Sequence, residues 1–437
     1  MKTIVVKFGG TSLASAEQIR KATDIVKSNP ERRFMVASAP GKRFKEDIKV
    51  TDMLYSCYDL AAAGKDFSEA LAAVGTRYDE IAAGLGVEFD TAAELAVIAE
   101  HLKAGPNRDY MASRGEYLNS RLIARYLGWP FVEAADCICF TESGAFDAEL
   151  TNERMGKALG DLEHAVIPGF YGALPDGSVH TFSRGGSDVT GSIVARAVGA
   201  DVYENWTDVS GMLAADPRIV EDPRPIDYIT YQELRELSYM GATVLHEDAV
   251  FPVRKAGIPV NIRNTNRPED AGTMIVAEVP KGIITHRVTG IAGRTGFTSV
   301  HVDKSMMNAE VGFGAGLLQI FAAHGVSFEH VPTGIDEMSV VVSTADLAPV
   351  REEVLADIEA KLKPDHIEVE DNMAILAVVG RGMRNSRGAA ATVFNALSLN
   401  RINIRLIAQG SSEIDIILGV DEKDYYDSIR AIHKAMC

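Results

Sequence analysis

The chain has 437 residues, 46% hydrophobic and 24% charged, the balance of an ordinary globular protein with room for about three domains. Lys and Arg number 44 against 61 Asp and Glu, a formal net charge of −17 that argues against nucleic acid or an anionic membrane as partner. Cys57, Cys137, Cys139 and Cys437 show neither metal-ligand spacing nor a disulfide framework, and no apolar run is long enough to span a bilayer. With a strand rather than a signal peptide at the start, the cytoplasm is the expected location.

The first predicted element is a strand over Thr3-Ile4-Val5-Val6, which runs into Lys7-Phe8-Gly9-Gly10-Thr11-Ser12. Glycines let a backbone approach an anion closely, and a lysine beside them adds a point charge, so the stretch is a candidate phosphate cradle. It is neither a Walker A loop nor Gly-x-Gly-x-x-Gly. Ser15 and Gln18 form a capping-box pattern, and Ile19, Ala22, Ile25 and Val26 recur at helical spacing, which predicts a helix just after the glycines. Phe34-Met35-Val36-Ala37 is a second strand, ending at Ser38-Ala39-Pro40-Gly41. Residues 52–128 are rich in Ala, Leu and Glu at helical period and predict a helical insertion.

Val166–Phe170 and Ser178–Phe182 flank Leu174-Pro175-Asp176-Gly177, the signal of a hairpin. A helix follows at Val189, Ile193, Val194 and Ala197, then a strand at Asp201–Trp206, a helical region ending at Gly257, and a strand at Ile258–Ile262. Strand-helix alternation of this kind predicts a largely parallel central sheet with helices on both faces, over residues 1–282.

Residues 283–437 contain an internal repeat. A shift of 76 residues sets Val300 on Leu376, Gly312 on Gly388, Leu317 on Val393, Phe321 on Leu397, Val326 on Ile402, Gly334 on Gly410, Val340 on Ile416 and Val342 on Leu418. Each unit (about 297–372 and 373–437) reads as most of a ferredoxin-like βαββαβ fold. The second runs out of chain before its last strand, which residues 286–292 are placed to supply, so the two units are expected to interlock.

Four more clusters are read as loops: Ser113-Arg114-Gly115-Glu116, Phe182–Asp188 with Arg184-Gly185-Gly186-Ser187-Asp188, Thr207-Asp208-Val209, and Asp216-Pro217-Arg218. Ligands bind at the carboxyl ends of strands in such sheets, where these loops gather into a basic, glycine-lined mouth suited to phosphoryl transfer. Together with Gly241-Ala242-Thr243-Val244-Leu245-His246 and the repeat, these motifs resemble those of aspartate kinases, in the amino-acid kinase superfamily, with paired ACT domains.

The resemblance implies ATP- and Mg²⁺-dependent phosphorylation of the L-aspartate β-carboxylate, the first step toward lysine, threonine and methionine. Lys7 would neutralise the transferring phosphoryl group, Gly9 and Gly10 would donate N–H groups to it beside Thr11 and Ser12, and Asp188 would orient the cations. Arg184 would take the aspartate α-carboxylate and Glu116 its ammonium, with Ser38 and Thr51 lining the pocket. Thr207, Asp208, Leu213 and Arg218 would meet the nucleotide, and no protein metal ligand is expected. An amino-acid effector, lysine first, is expected at Met307, Phe313 and Glu329, with Met307 and Phe313 as core and Glu329 as a solvated edge charge in the plainer reading. Homo-oligomers at least dimeric are expected through the ACT units. The chain departs from the family pattern at Leu213 (usually Tyr), Thr243 (usually Lys) and Glu247 (usually Pro). With no dehydrogenase-like extension after Cys437, a monofunctional kinase is expected. Two alternatives stay open: a kinase of another acceptor, or a catalytically silent amino-acid sensor.

Overall fold

The computed structural model describes residues 2–183, 185–242, 245, 247–283 and 286–437, apart from the side chains of Glu247 and Asp248. They pack as two compact units. The first holds residues 1–212, 225–231 and 244–281; the second holds 213–224, 232–243 and 282–437. Two short segments of the N-terminal stretch thus belong physically to the C-terminal unit.

The first unit opens with β1 (Ile4–Phe8), α1 (Ala16–Lys27) and β2 (Arg32–Ala37), then the insertion helices α2 (Val50–Ala62), α3 (Ser68–Leu85), α4 (Thr91–Ala104) and α5 (Arg108–Leu127). A single turn, α6 (Ala134–Cys137), leads to α7 (Ala148–Gly160), β3 (Ala165–Pro168), β4 (Tyr171–Ala173), β5 (Val179–Thr181), α8 (Gly186–Ala197) and β6 (Val202–Thr207). Beyond β7 (Met212–Leu213) and β8 (Pro225–Ile226) come β9 (Tyr228–Thr230), α9 (Tyr231–Tyr239, which belongs to the second unit from Gln232 on), α10 (Phe251–Ala256), β10 (Val260–Asn264) and β11 (Thr273–Val276). The main sheet has the order β3-β2-β1-β6-β10-β11-β9, parallel from β3 through β10 and turning antiparallel at β11. The hairpin is β4 with β5; the Val166–Phe170 run expected in it instead supplies β3 to the main sheet.

Alternation sets the faces of β1. Ile4, Val6 and Phe8 join the core under α1–α5, with Met35, Val166 and Trp206. Lys7 points the other way, toward α8. On the Phe8 side, Glu204 is buried between Arg32 (Nε to Oε2, 2.8 Å) and Arg263 (3.7 Å) and accepts the Trp206 indole N–H at 2.8 Å. That cluster ties β2, β6 and β10 together beneath the site.

The second unit is built on one six-stranded antiparallel sheet. Its strands are β12 (Gly290–Asp303), β13 (Phe328–His330), β14 (Glu337–Ser343), β15 (His366–Val379), β16 (Ile404–Ala408) and β17 (Asp415–Asp421). The helices are α11 (Phe313–Ala323), the short α12 (Thr344–Leu347), α13 (Arg351–Leu362), α14 (Ala389–Leu399) and α15 (Tyr425–Met436). The order β13-β14-β12-β15-β17-β16 interlocks two βαββαβ units. Gly290–Arg294 of β12 pairs with Ile375–Val379 and completes the second unit, while His366–Glu370 of β15 pairs back onto Ser299–Asp303 and completes the first. The helices α11 and α14 keep the 76-residue offset, each entered through a left-handed glycine, Gly312 (φ 92°) and Gly388 (φ 85°). The offset does not survive to the third strand. Val300 pairs with Val340 and Leu376 with Leu418, so the partner of Val340 in the repeat is Leu418 and not Ile416. The slip is two residues, an even number, so inward and outward positions stay matched.

Candidate active site

In the first unit β2 and β3 lie on one side of β1 and β6 on the other, so the sheet has its topological switch between β1 and β6, where α/β proteins bind ligands. Lys7 and Asn205 stand there in register on the two strands. Lys7 is only 7% exposed, and its ammonium lies 2.5 Å from Oδ1 of Asp188, in the first turn of α8. A cation so buried needs a counter-charge, and Asp188 provides it. Asn205 donates its amide to the same oxygen at 2.7 Å, and the Tyr203 hydroxyl donates to the Asp188 carbonyl at 3.2 Å. The pair is therefore fixed from two strands and a helix.

The glycine turn differs from expectation in two respects. Gly9 donates its N–H to the Trp206 carbonyl at 3.0 Å, extending the β1–β6 pairing, and so has none to offer a phosphate. The helix does not follow the glycines directly. A 3₁₀ turn over Thr11–Leu13 intervenes, and α1 starts at Ala16, where the Ser15 hydroxyl accepts the Gln18 N–H at 3.3 Å. The Gln18 side chain goes to Asn266, so the capping box closes in one direction only. Among the described residues the N–H groups of Gly10 and Thr11 have no partner. Thr11 is exposed, whereas Ser12 is turned inward and accepts from the Thr265 hydroxyl at 2.8 Å.

Ser113–Glu116, expected in a loop, lies within α5, whose N-terminus is capped by Asn107. The Arg114 guanidinium sits 4.4 and 4.3 Å from the ring centres of Tyr110 and Tyr117, which anchors the helix. Gly115 presses on the Ser38–Gly41 loop: a Cβ there would be 2.7 Å from that of Ala39. The next residue, Glu116, is buried with one carboxylate oxygen unpartnered. Burial pushes its carboxyl up to about 8, against the opposing pull of the Ala39 N–H and the charges of Lys7 and Arg114. Ser38, just past β2, donates its N–H to the Phe8 carbonyl at 3.2 Å, and its own carbonyl accepts the Asn119 amide at 2.7 Å. Thr51 is half-buried in the first turn of α2.

Thr207 and Asp208 close β6, the hydroxyl donating to the carboxylate at 3.3 Å. Leu213 and Arg218 fall in the second unit, where the exposed Arg218 guanidinium is held by Asp216 at 2.6 Å. Arg184 and Thr243 lie outside the described residues. Of the effector candidates, Met307 and Phe313 belong to the core of the first βαββαβ unit, as in the plainer reading. Glu329 accepts the Tyr239 hydroxyl at 2.6 Å and lies 3.8 Å from Arg294, so it is neither solvated nor idle. Asn205 and Asn119 were not anticipated. The one signal for Asn205 was a polar side chain in a strand predicted to be buried on both faces.

The amino acid kinase family model matches residues 2–264, and an ACT domain model matches residues 376–436. Aspartokinase 3 of Bacillus subtilis is 39% identical over 445 residues, 98% of each chain. The crystal structure of Clostridium acetobutylicum aspartate kinase superposes over 100% of both chains with a TM-score of 0.92 at 46% identity. Escherichia coli aspartokinase III, solved with aspartate and ADP, covers 100% of both chains at a TM-score of 0.76 and 24% identity, and so shares the fold. With a paired, buried lysine at the switch point of its sheet and an ACT domain in its regulatory half, the chain belongs to the amino acid kinase family, among the aspartokinases.

Proposed function

We propose that Lys7, Asp188 and Glu116 carry an aspartate kinase reaction in which the L-aspartate β-carboxylate, already ionised at neutral pH, attacks the γ-phosphorus of ATP. The P–O bond to ADP breaks and 4-phospho-L-aspartate forms. Lys7 neutralises the transferring group, and Asp188, itself oriented by Asn205, keeps the ammonium at the end of β1. The N–H groups of Gly10 and Thr11, with the exposed Thr11 hydroxyl, suit the phosphate oxygens. Glu116 receives the substrate ammonium, whose charge makes ionisation of the buried carboxyl favourable, and Arg184 pairs with the α-carboxylate. Ser38 and Thr51 line the acceptor pocket, and Thr207 and Asp208 are assigned to the nucleotide. Mg²⁺ is assigned to the phosphates of ATP, because the ion keeps several of its waters and takes few protein ligands beside substrate phosphates.

The observation that carries this reading is the buried Lys7–Asp188 pair beside two unpartnered backbone donors. ATP offered with each of L-aspartate, glutamate, acetylglutamate and carbamate, with hydroxylamine as acyl-phosphate trap, tests it. Aspartyl hydroxamate that disappears in Lys7→Ala is expected; product from another acceptor, or none, overturns it.

For the second unit, lysine is proposed as feedback effector, its ammonium taken by Glu329. Exposed Met306, Val311 and Ile335 in the first βαββαβ unit support a homodimer formed through the ACT units, which size-exclusion chromatography with light scattering would detect.

A further inference from the structure

One buried cation of the first unit has no part in the chemistry above. Arg77, on α3 of the helical insertion, is 4% exposed. Its guanidinium donates to the Ala14 carbonyl at 3.0 Å and the Gly41 carbonyl at 2.9 Å through one nitrogen, and pairs with Asp47 at 2.9 Å through another. Asp47 is also held by Arg43, and its carboxyl is depressed far below the usual range by these bonds. Ala14 ends the 3₁₀ turn that follows the glycines, while Gly41 ends the Ser38–Gly41 loop.

Between these two anchor points the backbones touch. Gly41 donates its N–H to the Gly10 carbonyl at 2.8 Å, and a Cβ on Gly41 would sit 2.6 Å from the Gly10 carbonyl carbon. One backbone hydrogen bond joins the two segments there, and they are also held from outside. Arg77 grips both with one rigid planar group. The Ser38–Gly41 loop also borders the acceptor end, through the Ala39 N–H toward Glu116 and the Ser38 carbonyl to Asn119. The neighbouring Tyr78 donates its hydroxyl to the carbonyl of Gly115, one residue before Glu116, at 2.7 Å. A single turn of α3 therefore braces both ends of the site.

We propose that Arg77 is a positioning residue for phosphoryl transfer, fixing the gap between the glycine turn and the acceptor pocket by pinning Gly41 against Ala14. The proposal rests on the assignment of Lys7 and Glu116 to the two ends of the reaction. Misplacement of reacting groups by about 1 Å costs on the order of 100-fold in rate, and such a loss falls on the chemical step more than on binding.

The test uses the full-length protein at a temperature where circular dichroism shows each variant folded. Arg77→Lys keeps the charge but lacks the planar fork whose two nitrogens divide between Asp47 and the two carbonyls; Gly41→Ala forces the segments apart directly. Each is expected to lower kcat by about 30- to 100-fold while KM for ATP and for aspartate changes less than about threefold. Millimolar guanidinium is expected to restore part of the kcat of Arg77→Ala, a response that a loss of stability would not give. A kcat within twofold of wild type in either Arg77→Lys or Gly41→Ala overturns the proposal. Should Lys7→Ala still make aspartyl hydroxamate, the underlying assignment fails instead, which separates the two.

Discussion

The Tyr239 hydroxyl donates to Glu329 at 2.6 Å, which joins the end of α9 to β13 inside the second unit. Arg294 completes the contact, its guanidinium 3.8 Å from Glu329 and within hydrogen-bond reach of the Tyr239 carbonyl at 3.3 Å. An effector ammonium arriving at Glu329 has to share or displace that phenol. In Tyr239→Phe the carboxylate has one donor fewer, so lysine is expected to inhibit at a concentration about 3- to 10-fold lower, within the usual range of allosteric coupling. Initial rates across a lysine titration check this, with threonine and methionine alongside. An unchanged half-inhibitory concentration would remove Glu329 from the effector site.

Lys7 and Asp188 make separable contributions. Lys7→Ala removes the charge that meets the transferring phosphoryl group, and a fall of about 10³ in kcat is expected. Asp188→Asn keeps the shape but strips Lys7 of its counter-charge; about 10- to 100-fold is expected, with thermal stability also reduced because a buried ammonium is left unpaired. Hydroxamate assays and thermal melts on the same preparations read both effects.

Glu116 predicts a pH dependence whose sign is set by its raised pKa. The folded carboxyl titrates at about 8 and the unfolded one near 4.5, so the native state keeps a proton that the unfolded chain has released. Between those values stability falls as pH rises, and above about 8 the penalty is constant. Glu116→Gln lacks the penalty and is expected to gain on wild type by up to a few kcal/mol by pH 8, read as a melting-temperature difference that widens from pH 5 to 8. Aspartate binding should release a proton below pH 8, which calorimetry in buffers of different ionisation enthalpy would detect.

The Glu204 cluster predicts a contrast between two ion pairs. Glu204→Gln leaves Arg32 and Arg263 facing each other under the sheet without their shared carboxylate, at a cost of about 3–5 kcal/mol. Glu80→Gln breaks the exposed contact with Arg43 and is expected to cost less than about 1 kcal/mol. Urea unfolding midpoints give both numbers.

Much of the fold was legible because its signals are periodic. Alternating strands and helices gave the parallel sheet, and one constant offset exposed the repeat, including the upstream strand that completes its second unit. Single-residue readings failed where a residue acts against its local type. Gly115 reads as a loop signal, yet it sits inside a 20-residue helix because the Ser38–Gly41 loop leaves no room for a side chain. Gly9 reads as a phosphate donor, but strand pairing claims its N–H first. The constant offset sets Val340 on Ile416 because an insertion of two residues leaves the apolar pattern unchanged. Arg77 carried no signal at all: besides Asp47, its partners are backbone carbonyls 63 and 36 positions away in the chain, and carbonyls have no sequence signature.

The two 14-residue strands β12 and β15 each serve both halves of the repeat. Neither half can melt without stripping hydrogen bonds from the other, so the pair is expected to open as one cooperative block despite having two cores. Amide protons on β14 and on β17 are therefore expected to exchange with solvent through the same opening event. A chain cut between α13 and β15 should leave neither half of the repeat able to fold by itself.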